Sequence, residues 1–315
     1  MTRIAIVNAN DLTAQELRGL LDERPELWRG IDLLTTDAAE VGGLAEVGGA
    51  AALVNGVDEL SFDAVDVVFL CGDYGDLASK VPPSAVAIAV SNAGDVLDAD
   101  GQALVSGVNL EHLERGRPLI SPHPAAVGIS QILAPVLSLD PAWVSVTAML
   151  PASTFGADAL DELFEQTRDL LNFKTSTESK HLPGPLAFNL LDAEAGTVAR
   201  QVRAVLGDGA PPVSVAALHT GVFHGLGLSV HLSFENPPEV QELEEILESS
   251  PTLAFAADPH LVGPKDIAGR SEILIADLRQ TGSTFTLWAV LDQLRAGGAA
   301  NAMAIFEALA MPVTH

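Results

Sequence analysis

Thr2-Arg3-Ile4-Ala5-Ile6-Val7-Asn8-Ala9-Asn10-Asp11-Leu12-Thr13-Ala14-Gln15-Glu16-Leu17 opens the chain. Thr2 to Val7 is a short apolar run suited to a buried parallel strand. The polar turn after it leads into an amphipathic stretch, Ala14 to Leu21, with apolar residues at Leu17, Leu20 and Leu21. Strand, turn and helix in that order begin a Rossmann unit. In such a unit, glycines in the first turn let the backbone approach a dinucleotide's pyrophosphate, which the helix N-terminus then faces. Here the turn contains no glycine. Each added Cβ crowds the pyrophosphate's place, and Asp11 sets a negative charge beside a negative ligand. Asn tolerates positive φ, so Asn8 and Asn10 can preserve the bend without preserving its ligand.

Further strands are expected at Ile31 to Leu34, around Leu53 and Val54, at Val65 to Leu70 and at Ala85 to Val90. Short apolar runs at such spacing, separated by helical or irregular connections, favour a mostly parallel sheet. The second half carries strands at Val144 to Leu150, Val213 to Thr220, Gly227 to Phe234 and Phe285 to Val290. An acidic helix at Ala157 to Leu171 follows the turn Pro151-Ala152-Ser153-Thr154-Phe155-Gly156. Glu194 to Leu206 reads as another helix, and Ala299 to Leu309 as an apolar one.

A chain of 315 residues with 48% hydrophobic residues is long enough for two domains with real cores. No apolar run approaches the roughly 20 residues that span a bilayer, and the start is too quickly strand-like for a signal peptide. A cytoplasmic protein is therefore expected. With 42 acidic residues against 16 basic and a net charge of −26, the chain is expected to seek neither nucleic acid nor anionic lipid. The acidity fits a heavily solvated surface or simply an Ala-rich, Lys-poor composition, and identifies no substrate. Cys71, the single cysteine, excludes an intrachain disulfide and a cysteine-based zinc site.

His219, His224 and His231 invite a metal reading. On one continuous strand His219 and His231 would lie about 40 Å apart and His224 would face the other way, so only a hairpin could unite them. No carboxylate or cysteine stands at a recognisable ligand spacing, and no metal is expected.

Local segments resemble the aspartate-semialdehyde dehydrogenase superfamily. Val7, Ala9, Glu16 and Leu17 match the frame Val-Gly-Ala-Thr-Gly-x-Val-Gly-x-Glu-Leu, with Asn8, Asp11 and Ala14 in the three glycine places. Val108-Asn109-Leu110-Glu111 is similar to Val-Asn-Pro-Glu, and Leu186-Ala187-Phe188-Asn189-Leu190-Leu191 to Ala-Phe-Asn-Val/Leu-Ile/Leu-Pro. Trp288 to Arg295 is similar to Trp-x-Val-x-Asp-Asn-Leu-Arg. The match extends over nearly the whole chain and is closest to the Usg-like branch, which departs from the dehydrogenase active site. Leu150-Pro151-Ala152-Ser153 and Ala187-Phe188-Asn189 support that placement.

The resemblance implies a reaction in which a thiolate attacks an aldehyde, hydride passes to a nicotinamide, and phosphate releases the acyl group. Leu119-Ile120-Ser121-Pro122-His123-Pro124-Ala125-Ala126 resembles Ile-Ile-Ala-Asn-Pro-Asn-Cys-Ser/Thr and puts Pro124 at the cysteine; a gapless alignment puts Ala125 there. Ser121, Ser130 and His123 lie nearby in sequence, but a serine without a partnered base is a poor nucleophile. Cys71, at a strand end, reads as a small semi-buried residue. Matching Val222, Phe223, Gly225 and Val230 to Val-Phe-x-Gly-His-Ser-Glu-x-Val puts Leu226 at the acid-base histidine and Leu228 at the glutamate. His224, on an extended segment, would share the face of Leu226 but not its reach. Ser91 to Asp95 resembles the region ending in Ala-Phe-Arg, with Asp95 at the phosphate-binding arginine. Ile275-Ala276-Asp277-Leu278-Arg279 resembles Val-Gly-Arg-Leu-Arg, with Asp277 at the substrate-binding arginine and Arg279 as its remnant.

The expected architecture is α/β: a Rossmann-like parallel-sheet domain over 1–125, an α+β dimerisation domain over 126–296, and a C-terminal helix, 297–315, returning to the first. The leading functional expectation is a paralogue of aspartate-semialdehyde dehydrogenase without the dehydrogenase reaction, a pseudoenzyme in a binding, structural or regulatory role. It is expected as a homodimer, with a mixed dimer with an active paralogue open to it. No catalytic set and no cofactor are expected, Ser121, His123, His224 and Arg279 being the remaining candidates. The alternative is an NAD(P)-dependent semialdehyde oxidoreductase with altered chemistry, its NADP or NAD implied by the resemblance and held near Asn8, Asn10, Asp11, Leu12 and Thr13.

Overall fold

The computed structural model describes residues 1–59, 62–90, 101–174 and 179–310. The chain divides into two compact units, Met1–His123 with Gly298–His315, and Pro124–Gly297.

The first unit contains strands β1 (Thr2–Val7), β2 (Trp28–Thr35), β3 (Leu44–Val47), β4 (Ala50–Gly56), β5 (Val67–Leu70), β6 (Val86–Val90), β7 (Gln102–Ala103) and β8 (Leu119–Ser121). Among the described residues they form one sheet in the order β3-β4-β2-β1-β5-β6-β8-β7. Every pairing is parallel except the β3–β4 hairpin, whose edge strand β3 the sequence reading does not include, whereas β4 contains the strand expected around Leu53 and Val54. The chain order reverses between β1 and β5, the switch point at which open α/β sheets form a crevice.

Helix α1 (Leu12–Asp22) starts two residues before the expected stretch because the Asp11 carboxylate caps it, accepting from the Thr13 amide. Its Ala14, Leu17 and Leu21 pack with Ile4, Ile6, Phe69 and Ile88. The C-terminal helix, Ala300–Ala310, adds Met303 and Phe306 to that core, the Phe306 ring meeting Phe69 edge-on at 5.8 Å.

The second unit carries α2 (Pro124–Val136), β9 (Trp143–Leu150), α3 (Ala157–Leu171), β10 (Leu190–Ala193), α4 (Gly196–Leu206), β11 (Val213–Thr220), β12 (Leu226–Ser233), α5 (Val240–Glu248), β13 (Leu253–Phe255), β14 (Ile273–Thr281) and β15 (Thr284–Leu291); the C-terminal helix is thus α6. Its mixed sheet, among the described residues, has the order β10-β11-β9-β12-β15-β14-β13. Alternate residues of β9, β12 and β15 face a core shared with α2, α4 and α5. Helix α4 begins at Gly196 rather than Glu194; Ala195 is the N-cap residue, and the Glu194 carboxylate before it accepts the amides of Gly196 and Thr197.

Candidate functional site

At the first turn, Asn8 holds φ 55, the left-handed region a glycine would otherwise supply. Its amide donates to the carbonyls of Cys71 and Asp73, each at 2.9 Å, and its oxygen accepts from the Thr36 amide and hydroxyl. The side chain thereby ties together the ends of β1, β2 and β5. A Cβ on Gly72 (φ +60) would lie 3.4 Å from Asp11 Oδ2 and 3.6 Å from Asn8 Nδ2, so both side chains reach over the β5 end. The Asn10 carbonyl accepts from Gln15 Nε2, Leu12 is half-buried, and Thr13 is fully buried. Cys71 is fully buried, not semi-buried. Burial, and after it the charge of Asp11, pushes its thiol well above the ordinary range, away from nucleophilic use.

Ser121 is fully buried at the end of β8, where its hydroxyl accepts from Asn301 Nδ2 at 2.9 Å, and His123 is buried as well. Pro124 begins α2, a position where the missing N–H costs nothing. Gly297 passes so close to it that a Cβ there would lie 2.6 Å from the Pro124 Cβ. Ala125 and Ser130 are fully buried.

Leu226 and Leu228 show no exposed surface and belong to the apolar cluster that contains Ala125, Ala126 and Leu291. The position matched to the acid-base histidine is thus part of the core. Asp277 has φ 58 at an irregularity between β14 and β15, and its carboxylate accepts from Arg279 Nε at 2.6 Å. Arg279 is therefore not a free anion clamp, because its guanidinium is already paired to the residue that replaced its neighbour. Asp95 lies outside the described residues.

The expectation for His224 is corrected. It lies not on an extended segment but in the turn before β12, where Gly225 at φ +91 breaks the alternation. Only glycine suits that turn, since a Cβ would also lie 2.7 Å from Pro264. The imidazole Nε2 stands 3.1 Å from Asp292 Oδ1, and Nδ1 is 3.4 Å from Ser153 Oγ and 3.2 Å from Gln293 Nε2. Gln293 also donates to Ser153 Oγ, and its own oxygen accepts the Gly225 amide at 3.0 Å.

Asp292 is buried and accepts the amides of Gly269, Leu294 and Arg295 besides facing His224. Burial alone would raise its pKa; the hydrogen bonds from His224, Arg295 and Gly269 outweigh this and hold it below the ordinary carboxylate value. Sequence reading missed Asp292, Gln293 and the role of Ser153. The only signal was the Asp-Gln pair in the Trp288 to Arg295 stretch, read there solely as a resemblance.

His219 and His231 do not join this cluster. They sit on β11 and β12, on either side of β9, at registers opposite Leu150 and Ser145, about 16 Å apart along the strand. His219 packs against the Phe155 ring at 4.9 Å, and burial lowers its pKa against a smaller opposing effect of Asp192.

A Rossmann-like unit joined to a mixed-sheet unit is an architecture of two-domain dehydrogenases, and residues 133–296 match the family described as semialdehyde dehydrogenase, dimerisation domain. A USG-1 protein homolog from Pseudomonas aeruginosa is 29% identical, over 97% of each chain, and an aspartate-semialdehyde dehydrogenase from Rickettsia conorii is 23% identical over 97% of each. The solved structure of a probable aspartate-semialdehyde dehydrogenase from Pseudomonas aeruginosa superposes with a TM-score of 0.89, at 26% identity and over 98% of both chains. That of a Candida albicans aspartate semialdehyde dehydrogenase with NADP gives 0.71 at 15% identity, a likeness of fold alone. The chain belongs to the aspartate-semialdehyde dehydrogenase superfamily, in its Usg-like branch.

Proposed function

We propose that this protein is a dimeric member of the superfamily that does not carry out the dehydrogenase reaction and acts in a binding or regulatory role. The observation that carries the reading is Leu226, a fully buried core residue where the family pattern needs a proton-transfer group. Pro124 offers no nucleophile, and Asp277 sets a carboxylate at the place matched to the substrate-binding arginine and pairs with the remaining Arg279. The nucleotide is lost on the same reading. A pyrophosphate at the N-terminus of α1 would meet the Asp11 carboxylate, which already takes the Thr13 amide, and the side chain of Asn8, whose hydrogen bonds are made within the protein. These residues do not fit NADP or NAD.

Association is supported by charge. The strands β9, β11, β12 and β15 contain no Asp, Glu, Lys or Arg, in a chain of net charge −26. On the face turned away from α2, α4 and α5, the side chains of Ser145, Thr147, Ser229 and His231 are half-buried. A second copy can meet this face without bringing carboxylates together.

The test is an assay of Pro124→Cys for phosphate-dependent aldehyde oxidation with NADP. No activity above the parent protein is expected, because Leu226 and Asp277 remain. Turnover in that variant would show that the other positions are still competent and overturn the reading.

A further inference from the structure

The second unit brings together residues of a different chemistry, one that needs neither nucleotide nor thiol. Asp292, shielded and anchored by three backbone amides, faces Nε2 of His224 and so holds the neutral imidazole in the tautomer protonated at Nε2. The lone pair on Nδ1 is then directed at Ser153 Oγ and Gln293 Nε2. The Gln293 amide cannot reverse without losing the Gly225 amide, so its N–H groups stay on the serine side. Thr154, next in sequence, has a buried hydroxyl with no hydrogen-bond partner, although 8% of the residue is exposed. A nucleophile, a base, a group that orients the base and a donor beside the nucleophile are components of acyl transfer to serine.

We propose that Ser153 and His224, positioned by Asp292, form a nucleophilic serine site that accepts acyl groups from small uncharged esters. Ser153 Oγ forms a bond to the ester carbonyl carbon while its proton passes to Nδ1 of His224. As the carbonyl re-forms, the C–O bond to the alcohol breaks and that proton leaves with the alcohol. Water then attacks the acyl-serine by the same route, regenerating Oγ–H and releasing the acid. Gln293 Nε2, which already donates to Ser153 Oγ, is the donor beside the position where the oxyanion develops. Ser153 is 2% exposed whereas the His224 side chain is 28% exposed, so the ester enters past the imidazole and only a small acyl group reaches Oγ. The net charge of −26 disfavours an anionic acyl group.

The full-length protein is treated with a fluorophosphonate, in which a reactive serine displaces fluoride, and the adduct is mapped by mass spectrometry. In parallel, p-nitrophenyl acetate hydrolysis is compared among the parent, Ser153→Ala and His224→Gln. One adduct on Ser153 is expected, with hydrolysis falling at least about 100-fold in both variants. The proposal is overturned if the parent carries no adduct on Ser153 under conditions that label a known serine esterase to completion. It is equally overturned if Ser153→Ala, folded by circular dichroism, hydrolyses the ester as fast as the parent. Because the adduct is read on the parent protein, a variant that fails to fold does not decide the question, and neither outcome depends on NADP or on Pro124.

Discussion

Asp292→Ala is expected to destabilise the second unit by about 3–5 kcal/mol, since it strips a buried carboxylate from three backbone amides and from His224 together. Asp292→Asn keeps an acceptor in place and is expected to cost less, about 1–2 kcal/mol. The difference between parent and Asn variant also has a defined pH dependence. The native pKa of Asp292 lies below its unfolded value, so the charge contributes stability above the unfolded pKa, and that contribution is lost as pH falls through the lower native one. The gap between the two proteins in urea unfolding is therefore expected to stay constant from about pH 5 to 8 and to close below about pH 4. A gap that stayed unchanged down to about pH 2 would mean that the Asp292 charge contributes nothing to the stability of the fold.

Leu226→His, which writes the family's histidine back into the chain, is expected to cost about 3–5 kcal/mol and to return no aldehyde oxidation, alone or with Pro124→Cys. The leucine is fully enclosed among Ala125, Leu228 and Leu291, so an imidazole there loses apolar packing and buries a polar ring. Thermal unfolding and the oxidation assay are read on the same preparation. A stable, active double variant would mean that the pocket for the histidine persists.

What could be read in advance follows from how local each signal is. Thr2–Val7 announces its strand because its last four residues, Ile4 to Val7, are buried on both faces and form a continuous apolar run. The turn after it announces its own departure, since glycine's absence is visible residue by residue. The edge strand Leu44–Val47 was illegible as a strand because only Val47 is buried and Glu46 interrupts its apolar residues, although the Gly48-Gly49 pair that turns it into β4 is a hairpin signal. The His224 cluster was illegible for another reason. Its members come from the short 3-10 helix Ala152–Phe155, a turn and a strand end, Ser153 and His224 being 71 residues apart, and the parity rule applied to His224 fails at Gly225. Family alignment led to Leu226, two residues away, while the polar chemistry of the same segment is carried by His224.

The most direct measurement is calorimetric titration of the purified protein with NADP and with NAD at near-physiological ionic strength. With Asp11 capping α1 and the hydrogen bonds of Asn8 made within the protein, neither nucleotide is expected to show saturable binding below millimolar concentration. Micromolar binding of either one would mean that the first turn still cradles a pyrophosphate, and would contradict the loss of the dehydrogenase reaction at its first step.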